Sequence, residues 1–231
     1  MAGWNLWEGN RFAFGGFPPD DYGPVGIKLA TPNNIVRKNV FYANGASGVS
    51  FESEDVNKPN NNRVYNNSFY HNGYLSGAPT AVQKGLAFAD WGAGDMTGNV
   101  VKNNIFYGNN KGAIGATGVS LSLQTIVNNW EEAGNPYFVD ETIPNPSNPA
   151  LPDFHLKSNS PCINSGAFLT TTTSSGSGKT MQVKDARYFM NGWGIIEGDT
   201  IQLEGQTQTA KITNVNYNTN TITVDTSAVT T

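Results

Sequence analysis

Charge is scarce in this chain: only 14% of its 231 residues are Asp, Glu, Lys or Arg, and 14 basic groups face 18 acidic ones for a net charge of −4. No basic stripe is available to neutralise phosphates, so nucleic acid is not an expected partner. The single cysteine, Cys162, rules out an internal disulfide, and its setting in Ser160-Pro161-Cys162-Ile163, away from basic residues, reads as small and buried rather than reactive. Histidine occurs only twice, and no His and Cys stand at metal-ligand spacing. His71 reads as a turn residue and His155 as structural. No run of about 18 apolar residues exists, so no membrane insertion is expected. Met1-Ala2-Gly3-Trp4 lacks the basic start and apolar stretch of a signal peptide.

What is plentiful is turn chemistry. Twenty-six glycines, with abundant Asn, Ser and Thr, suit an all-β chain and make helix scarce. Four segments align: Trp7-Glu8-Gly9-Asn10-Arg11-Phe12, Val36-Arg37-Lys38-Asn39-Val40-Phe41, Val64-Tyr65-Asn66-Asn67-Ser68-Phe69 and Val101-Lys102-Asn103-Asn104-Ile105-Phe106. Their Asn positions are 29, 28 and 37 residues apart, about one coil of a solenoid with one enlarged loop. A second phrase accompanies each: Gly26-Ile27-Lys28-Leu29, Gly48-Val49-Ser50-Phe51, Gly85-Leu86-Ala87-Phe88 and Gly118-Val119-Ser120-Leu121, a short strand with alternate residues pointing inward. Stacked coils predict a ladder of Asn10, Asn39, Asn67 and Asn104 at a corner, with these Asn in the left-handed conformation, and an internal stack of Phe12, Phe41, Phe69 and Phe106. Both ladders read as structural.

Together, Gly-apolar-x-apolar and Asn-x-apolar resemble the pectate-lyase-like right-handed parallel β-helix superfamily over residues 4–130. Asn135-Pro136-Tyr137-Phe138-Val139-Asp140 and the stretch from Asp153 to Gly166 resemble the phrase that closes the last coils of many secreted bacterial β-helix proteins. The resemblance implies a secreted or cell-surface protein acting on an extracellular polysaccharide. It implies no oligomeric state.

The expected architecture is all-β: parallel β-helix coils and closing segment over 1–168, a flexible linker of Thr, Ser and Gly over 169–181, and a small antiparallel β-element over 182–231. The alternating stretches Gln182 to Phe189, Asp199 to Leu203, Ala210 to Val215 and Thr221 to Asp225 supply the latter, with a turn at Asn218-Thr219-Asn220. Both ends are expected to be cut from a longer chain, since repeat sequence follows Met1-Ala2-Gly3 at once and no second closing phrase precedes Thr231.

Coil length points to where chemistry sits, because core turns stay constant while binding loops grow. From Gly48 to Asn67 and from Gly85 to Asn104 is 19 residues each, against 13 from Gly26 to Asn39. On the other flank, Asn72 to Gly85 spans 13 residues where Asn44 to Gly48 spans 4. Loops that grow on both flanks predict walls around a groove.

The extended turns carry Glu52, Glu54, Asp55, Asp90 and Asp95, with Trp91 among them. The family resemblance implies a lyase of an acidic polysaccharide, in which carboxylates such as Glu54 and Asp55 hold Ca²⁺ and a cation such as Arg37 serves proton abstraction, with Lys28, Arg63 and Lys102 binding substrate. A glycoside hydrolase would instead use Glu52 and Asp90 as an acid and base pair, with Asp55 nearby and Trp91 stacked on a sugar ring. Neither an Arg-x-Pro-x-x-Arg phrase nor a paired-Asp phrase is present. The alternative is a non-catalytic glycan-binding, adhesin or phage-fibre scaffold. In each case acidic turn residues also have a plain reading as caps of local N–H groups.

Overall fold

The computed structural model describes residues 3–16, 25–75, 80–145 and 147–230. They form two compact units, Met1–Ala167 and Phe168–Thr231. No helix among the described residues is long and apolar enough to cross a membrane.

The first unit is a parallel β-helix of three sheets. Sheet A stacks Leu6–Glu8, Ile35–Arg37, Arg63–Tyr65, Val100–Lys102 and Thr125–Val127. Sheet B stacks Arg11–Ala13, Val40–Tyr42, Ser68–Tyr70, Ile105–Tyr107 and Trp130–Glu131, and sheet C stacks Ile27–Leu29, Val49–Ser53, Leu86–Asp90 and Ile114–Thr117. All of these pairs are parallel, and the register places like on like: Val36, Val64 and Val101 in one row, Phe41, Phe69 and Phe106 in another.

Three asparagine ladders, not one, set that register. Asn5, Asn34, Asn62 and Asn99 lead into sheet A, Asn10, Asn39, Asn67, Asn104 and Asn129 separate sheets A and B, and Asn44, Asn72 and Asn109 leave sheet B. Asn67 shows the wiring. Its Oδ1 accepts from the backbone N and the Nδ2 of Asn39, and its own Nδ2 donates to Asn104 Oδ1 and to the carbonyls of Val36 and Tyr65. Inside a buried corner no water can replace these partners, and a primary amide is the short side chain that both donates twice and accepts. Gln124 continues the first ladder by accepting from Asn99, and Glu132 ends the third by accepting from Asn109. A carboxylate cannot donate onward, so Glu132 is a chemical stop.

The left-handed residue at each corner is not the ladder Asn but the one before it. Gly9, Lys38, Asn66, Asn103 and Asn128 precede the second ladder with φ between 54° and 70°. Ala43, His71 and Gly108 precede the third with φ between 53° and 65°, which makes His71 a corner residue. Non-glycine residues hold this costly conformation because the ladder bonds over-determine it.

Between the corners the core is stacked rings. Phe12, Phe41, Phe69 and Phe106 lie with centroids 4.5–5.0 Å apart, and Phe51 sits on Phe88 at 4.5 Å. That separation is close to the spacing of hydrogen-bonded strands, so in-register pairing produces the stack. Burying each ring contributes about 1.5–3 kcal/mol. The stack also explains the glycines that open sheet C: a Cβ on Gly48 would meet Phe41 Cβ at 2.6 Å, and one on Gly85 would meet Phe106 Cδ1 at 2.5 Å.

One expectation about this unit needs correction. The last strand of sheet C is Ile114–Thr117, paired with Leu86 to Ala89, whereas Gly118 to Leu121 runs into a turn and a 3₁₀ segment, Leu121–Leu123. Ala113 stands where the earlier coils have glycine, which hides the phrase. The closing segment lies against the side of the coils. Its antiparallel strands Phe138–Asp140 and Asp153–Leu156 set Phe138 and Phe154 against Tyr42 and Tyr70 on the outer face of sheet B. Burial there pushes the Tyr70 hydroxyl pKa up to about 12, with Glu141 adding to it.

The second unit is a four-stranded antiparallel sheet ordered Gly176–Gln182, Thr221–Thr230, Thr209–Asn216, Thr200–Gln202, over a core of Met181, Val183, Ala186, Ala210, Ile212, Ile222 and Val224. Residues 176–181, expected within a flexible linker, are strand. Main-chain hydrogen bonds to Thr221–Thr230 need no apolar side chain, and Met181 alone of that stretch enters the core. Within the expected strand from Gln182 to Phe189, Ala186–Tyr188 is instead a 3₁₀ turn capped by Asp185.

The wiring of Asn67 predicts that Asn67→Ala lowers the unfolding free energy of the β-helix by about 2–4 kcal/mol, and that Asn67→Asp, nearly isosteric but unable to donate, is no better tolerated. Urea unfolding followed by circular dichroism measures both; an Asp variant as stable as wild type contradicts the donor role.

Candidate functional site

The loops that run from sheet C to sheet A stack on one another as the coils do. Asn33 N donates to Asn60 O, Asn61 N to Thr97 O and Gly98 N to Leu123 O, while Thr97 N donates to Asn60 Oδ1 and Ser120 N to Asp95 Oδ1. One wall of the expected groove therefore stands as a ridge made from residues 53–62, 90–99 and 117–124. On the opposite flank the described residues do not stand up as a second wall. Val82, the last residue of the 3₁₀ segment Thr80–Val82, packs with Ala46 and with Ala87 on the outer face of sheet C, so this end of the loop lies over the strands; residues 76–79 of it are outside the described set.

On the ridge, Asp90 and Trp91 are bound into one turn. The Asp90 carboxylate accepts from Ser53 Oγ at 2.7 Å and from the backbone N of Gly92 and Gly94 at 2.9 Å each. Trp91 N donates to Ser53 O at 2.8 Å. The hydrogen bonds from Ser53, Gly92 and Gly94 hold the Asp90 pKa below the usual carboxylate range. Trp91 stands at the tip with 48% of its surface exposed.

Glu52 lies elsewhere. In the register of sheet C it is opposite Ala89, while Ser53 is opposite Asp90. Successive residues of a strand face opposite ways, so Glu52 points to the outer side, toward Lys28, and Asp90 to the side of Ser53. The structure does not bring Glu52 and Asp90 together as an acid and base pair. Instead Lys28 Nζ bridges Glu52 Oε2 at 2.8 Å and Glu54 Oε2 at 3.0 Å. Burial by itself pulls the Lys28 pKa down, but the hydrogen bonds and charges of Glu52 and Glu54 outweigh it and the net direction is upward, away from what a base needs.

The remaining cations sit on sheet A. Arg37 is buried and donates to Tyr65 Oη at 3.0 Å and Glu8 Oε2 at 2.8 Å, Glu8 also receiving Lys38. Glu8 is pushed up by burial yet ends lowered, because Arg37 and Lys38 both bond it. Arg63, also buried, donates to the carbonyls of Asn62 and Gly98, and Lys102 occupies the row of Glu8, Arg37 and Tyr65. Arg37 and Arg63 tie coils to one another.

Glu54 is spent on Lys28, Asp55 is a left-handed turn residue at φ 54°, and among the described residues no group of three His, Cys, Asp or Glu stands close enough to bind a metal ion. Cys162 is half-buried, with burial raising its thiol pKa.

Lys58 and the serine pair Ser120 and Ser122, whose hydroxyl oxygens are 2.8 Å apart, belong to the ridge and escape the sequence reading. The spacing of Asn99 and Gln124 marks 117–124 as a third loop of the ridge once the first ladder is recognised.

The class of protein defined here is a parallel β-helix followed by a small antiparallel sheet. No protein-family description matches the chain, and no curated protein or solved structure matches it either.

The Lys28 bridge yields a pH prediction. A raised folded pKa means that the contribution is fully present below the ordinary lysine value of about 10.4 and is lost as pH rises through the higher folded value. Lys28→Met, which leaves the largely buried Glu52 unpaired, destabilises by about 1–2 kcal/mol at pH 7, a figure discounted for the half-exposed lysine. Urea midpoints from pH 7 to 11 show the gap between wild type and Lys28→Met closing at the alkaline end; a constant gap contradicts the ion-pair account.

Proposed function

We propose that this chain is a glycan-recognition β-helix of the pectate-lyase-like kind, secreted or held at a cell surface, whose contact surface is the ridge around Trp91. The observation that carries the reading is an exposed indole on a turn that its neighbours hold rigid: Asp90 accepts three hydrogen bonds, one from Ser53 on the adjacent strand. A flat apolar face held in one place is what the C–H side of a pyranose stacks on at little entropic cost. The carboxylates and hydroxyls alongside supply the partners that sugar hydroxyls require.

Binding is favoured over cleavage. General acid and base catalysis needs two groups within hydrogen-bond reach of one scissile bond, or one water away. Glu52 and Asp90 diverge, Lys28 is paired and Arg37 belongs to another sheet. The lyase and hydrolase readings are therefore outcomes of the test rather than the conclusion.

Affinity electrophoresis over a polysaccharide panel, with reaction mixtures followed by ultraviolet absorbance and reducing ends, is the direct experiment. The expected result is retention by at least one polysaccharide, weakened about thirtyfold in Trp91→Ala, as the roughly 2 kcal/mol of a tryptophan anchor implies, without new double bonds or reducing ends. Asp90→Ala, which unpins the turn while keeping the indole, weakens retention to a similar degree. Product formation that survives Trp91→Ala contradicts the proposal.

A further inference from the structure

We infer that the glycan taken at the Trp91 ridge is a neutral, hydroxyl-rich pyranose polymer and not a uronate, an inference that rests on the glycan-recognition reading of the same surface. It departs from the acidic polysaccharide that the family resemblance implies, and the charges of the ridge carry it.

The three loops hold four carboxylates, Glu54, Asp55, Asp90 and Asp95, and one lysine, Lys58. Glu52 adds a fifth carboxylate at the edge of the ridge. The flanking cations are spent: Lys28 is divided between Glu52 and Glu54, and the Arg63 guanidinium is buried against two backbone carbonyls. Asp90 stays ionised because its turn donates to it, and Asp95 is fixed by Ser120 N. Lys58 lies over the same turn, its Nζ 3.4 Å from where a Cβ on Gly94 would stand. Two ammoniums, Lys28 and Lys58, against five carboxylates leave the field that a ligand meets at the ridge negative.

A uronate chain carries a carboxylate on every residue. Stacked on Trp91 it would bring those charges to the ridge that carries Asp90, Asp95 and Asp55, whose loops contain no Arg fork to receive them. A neutral pyranose meets the opposite situation. Its hydroxyls donate, ionised carboxylates accept without donating, and adjacent hydroxyls match the two oxygens of one carboxylate. The exposed hydroxyls of Ser120 and Ser122 add partners that donate or accept. The ring's apolar face is left for the indole.

The test is affinity electrophoresis of the full chain against galactomannan, xyloglucan and mixed-linkage glucan on one side and polygalacturonate and alginate on the other, at low and high sodium chloride. The variants are Trp91→Ala and Asp55→Asn/Asp95→Asn; Asn suits the left-handed backbone of residue 55. The expected result is retention by a neutral polymer that changes less than about twofold with salt, as uncharged ligands are not screened. Trp91→Ala weakens it by the same factor of about thirty, the double variant weakens it several-fold, and the uronates give no retention. Trp91-dependent retention by a uronate that falls with salt overturns this inference while leaving the glycan-recognition site in place. Retention by nothing, or retention indifferent to Trp91→Ala, overturns the site itself, with circular dichroism confirming that the variants are folded.

Discussion

The β-helix depends on one interaction, the hydrogen bonding of a buried primary amide to its counterpart one coil away. At each corner the chain must turn sharply, leave its backbone groups unpaired by any sheet, and stay dry. An Asn side chain answers all three demands, because it supplies two donors and two acceptor sites within one short arm. Five-residue spacing, as in Asn34, Asn39 and Asn44 or Asn62, Asn67 and Asn72, places such an arm at every corner around sheets A and B. Everything between is then held in register: the valines of sheet A, the rings of sheet B, and the glycines that let sheet C approach those rings. The strain of Lys38, Ala43 or His71 at positive φ is tolerated for the same reason.

That rigidity makes the ridge useful. Loops between sheet C and sheet A differ in length from coil to coil, yet each begins and ends at a position fixed by strand register and ladder. Their backbones bond one another from coil to coil, so the ridge inherits the order of the solenoid. Asp90 is the local version of the same principle. It spends its carboxylate on Ser53 and two turn amides, and through them it presents Trp91. The oxygen of Asp90 that accepts these bonds, Oδ1, is committed to the turn, and the charge of Glu52 goes to Lys28.

Much of the fold is legible in the sequence because repeated register imposes repeated residue types. The Asn-x-Phe phrase locates the second ladder and the ring stack, and glycine before each sheet C strand is visible until Ala113 replaces it. The other two ladders are equally regular at five residues on either side, but they lack a following Phe and so pass for ordinary turn asparagines. The left-handed positions are not legible, since Lys38, Ala43 and His71 carry no glycine-like signature; the conformation comes from the ladder. For the strand Gly176–Gln182, composition misleads, because pairing by main chain leaves no apolar pattern to read. At the ridge, loop length points to the right region and Trp91 is found. The pairing of side chains is not, because whether Glu52 faces Asp90 or Lys28 turns on a single residue of strand phase.

Native-state hydrogen exchange at the corners tests the amide ladders most directly. The backbone N–H groups of Asn34, Asn39, Asn44, Asn62, Asn67 and Asn72 each donate to a side-chain oxygen in the next coil, although they lie in turns. If the ladders hold the coils, these amides exchange as slowly as those of Phe41 and Phe69 in the adjoining strands, through the same cooperative opening. Corner amides that exchange orders of magnitude faster than the strands, in the manner of ordinary turns, would contradict the account.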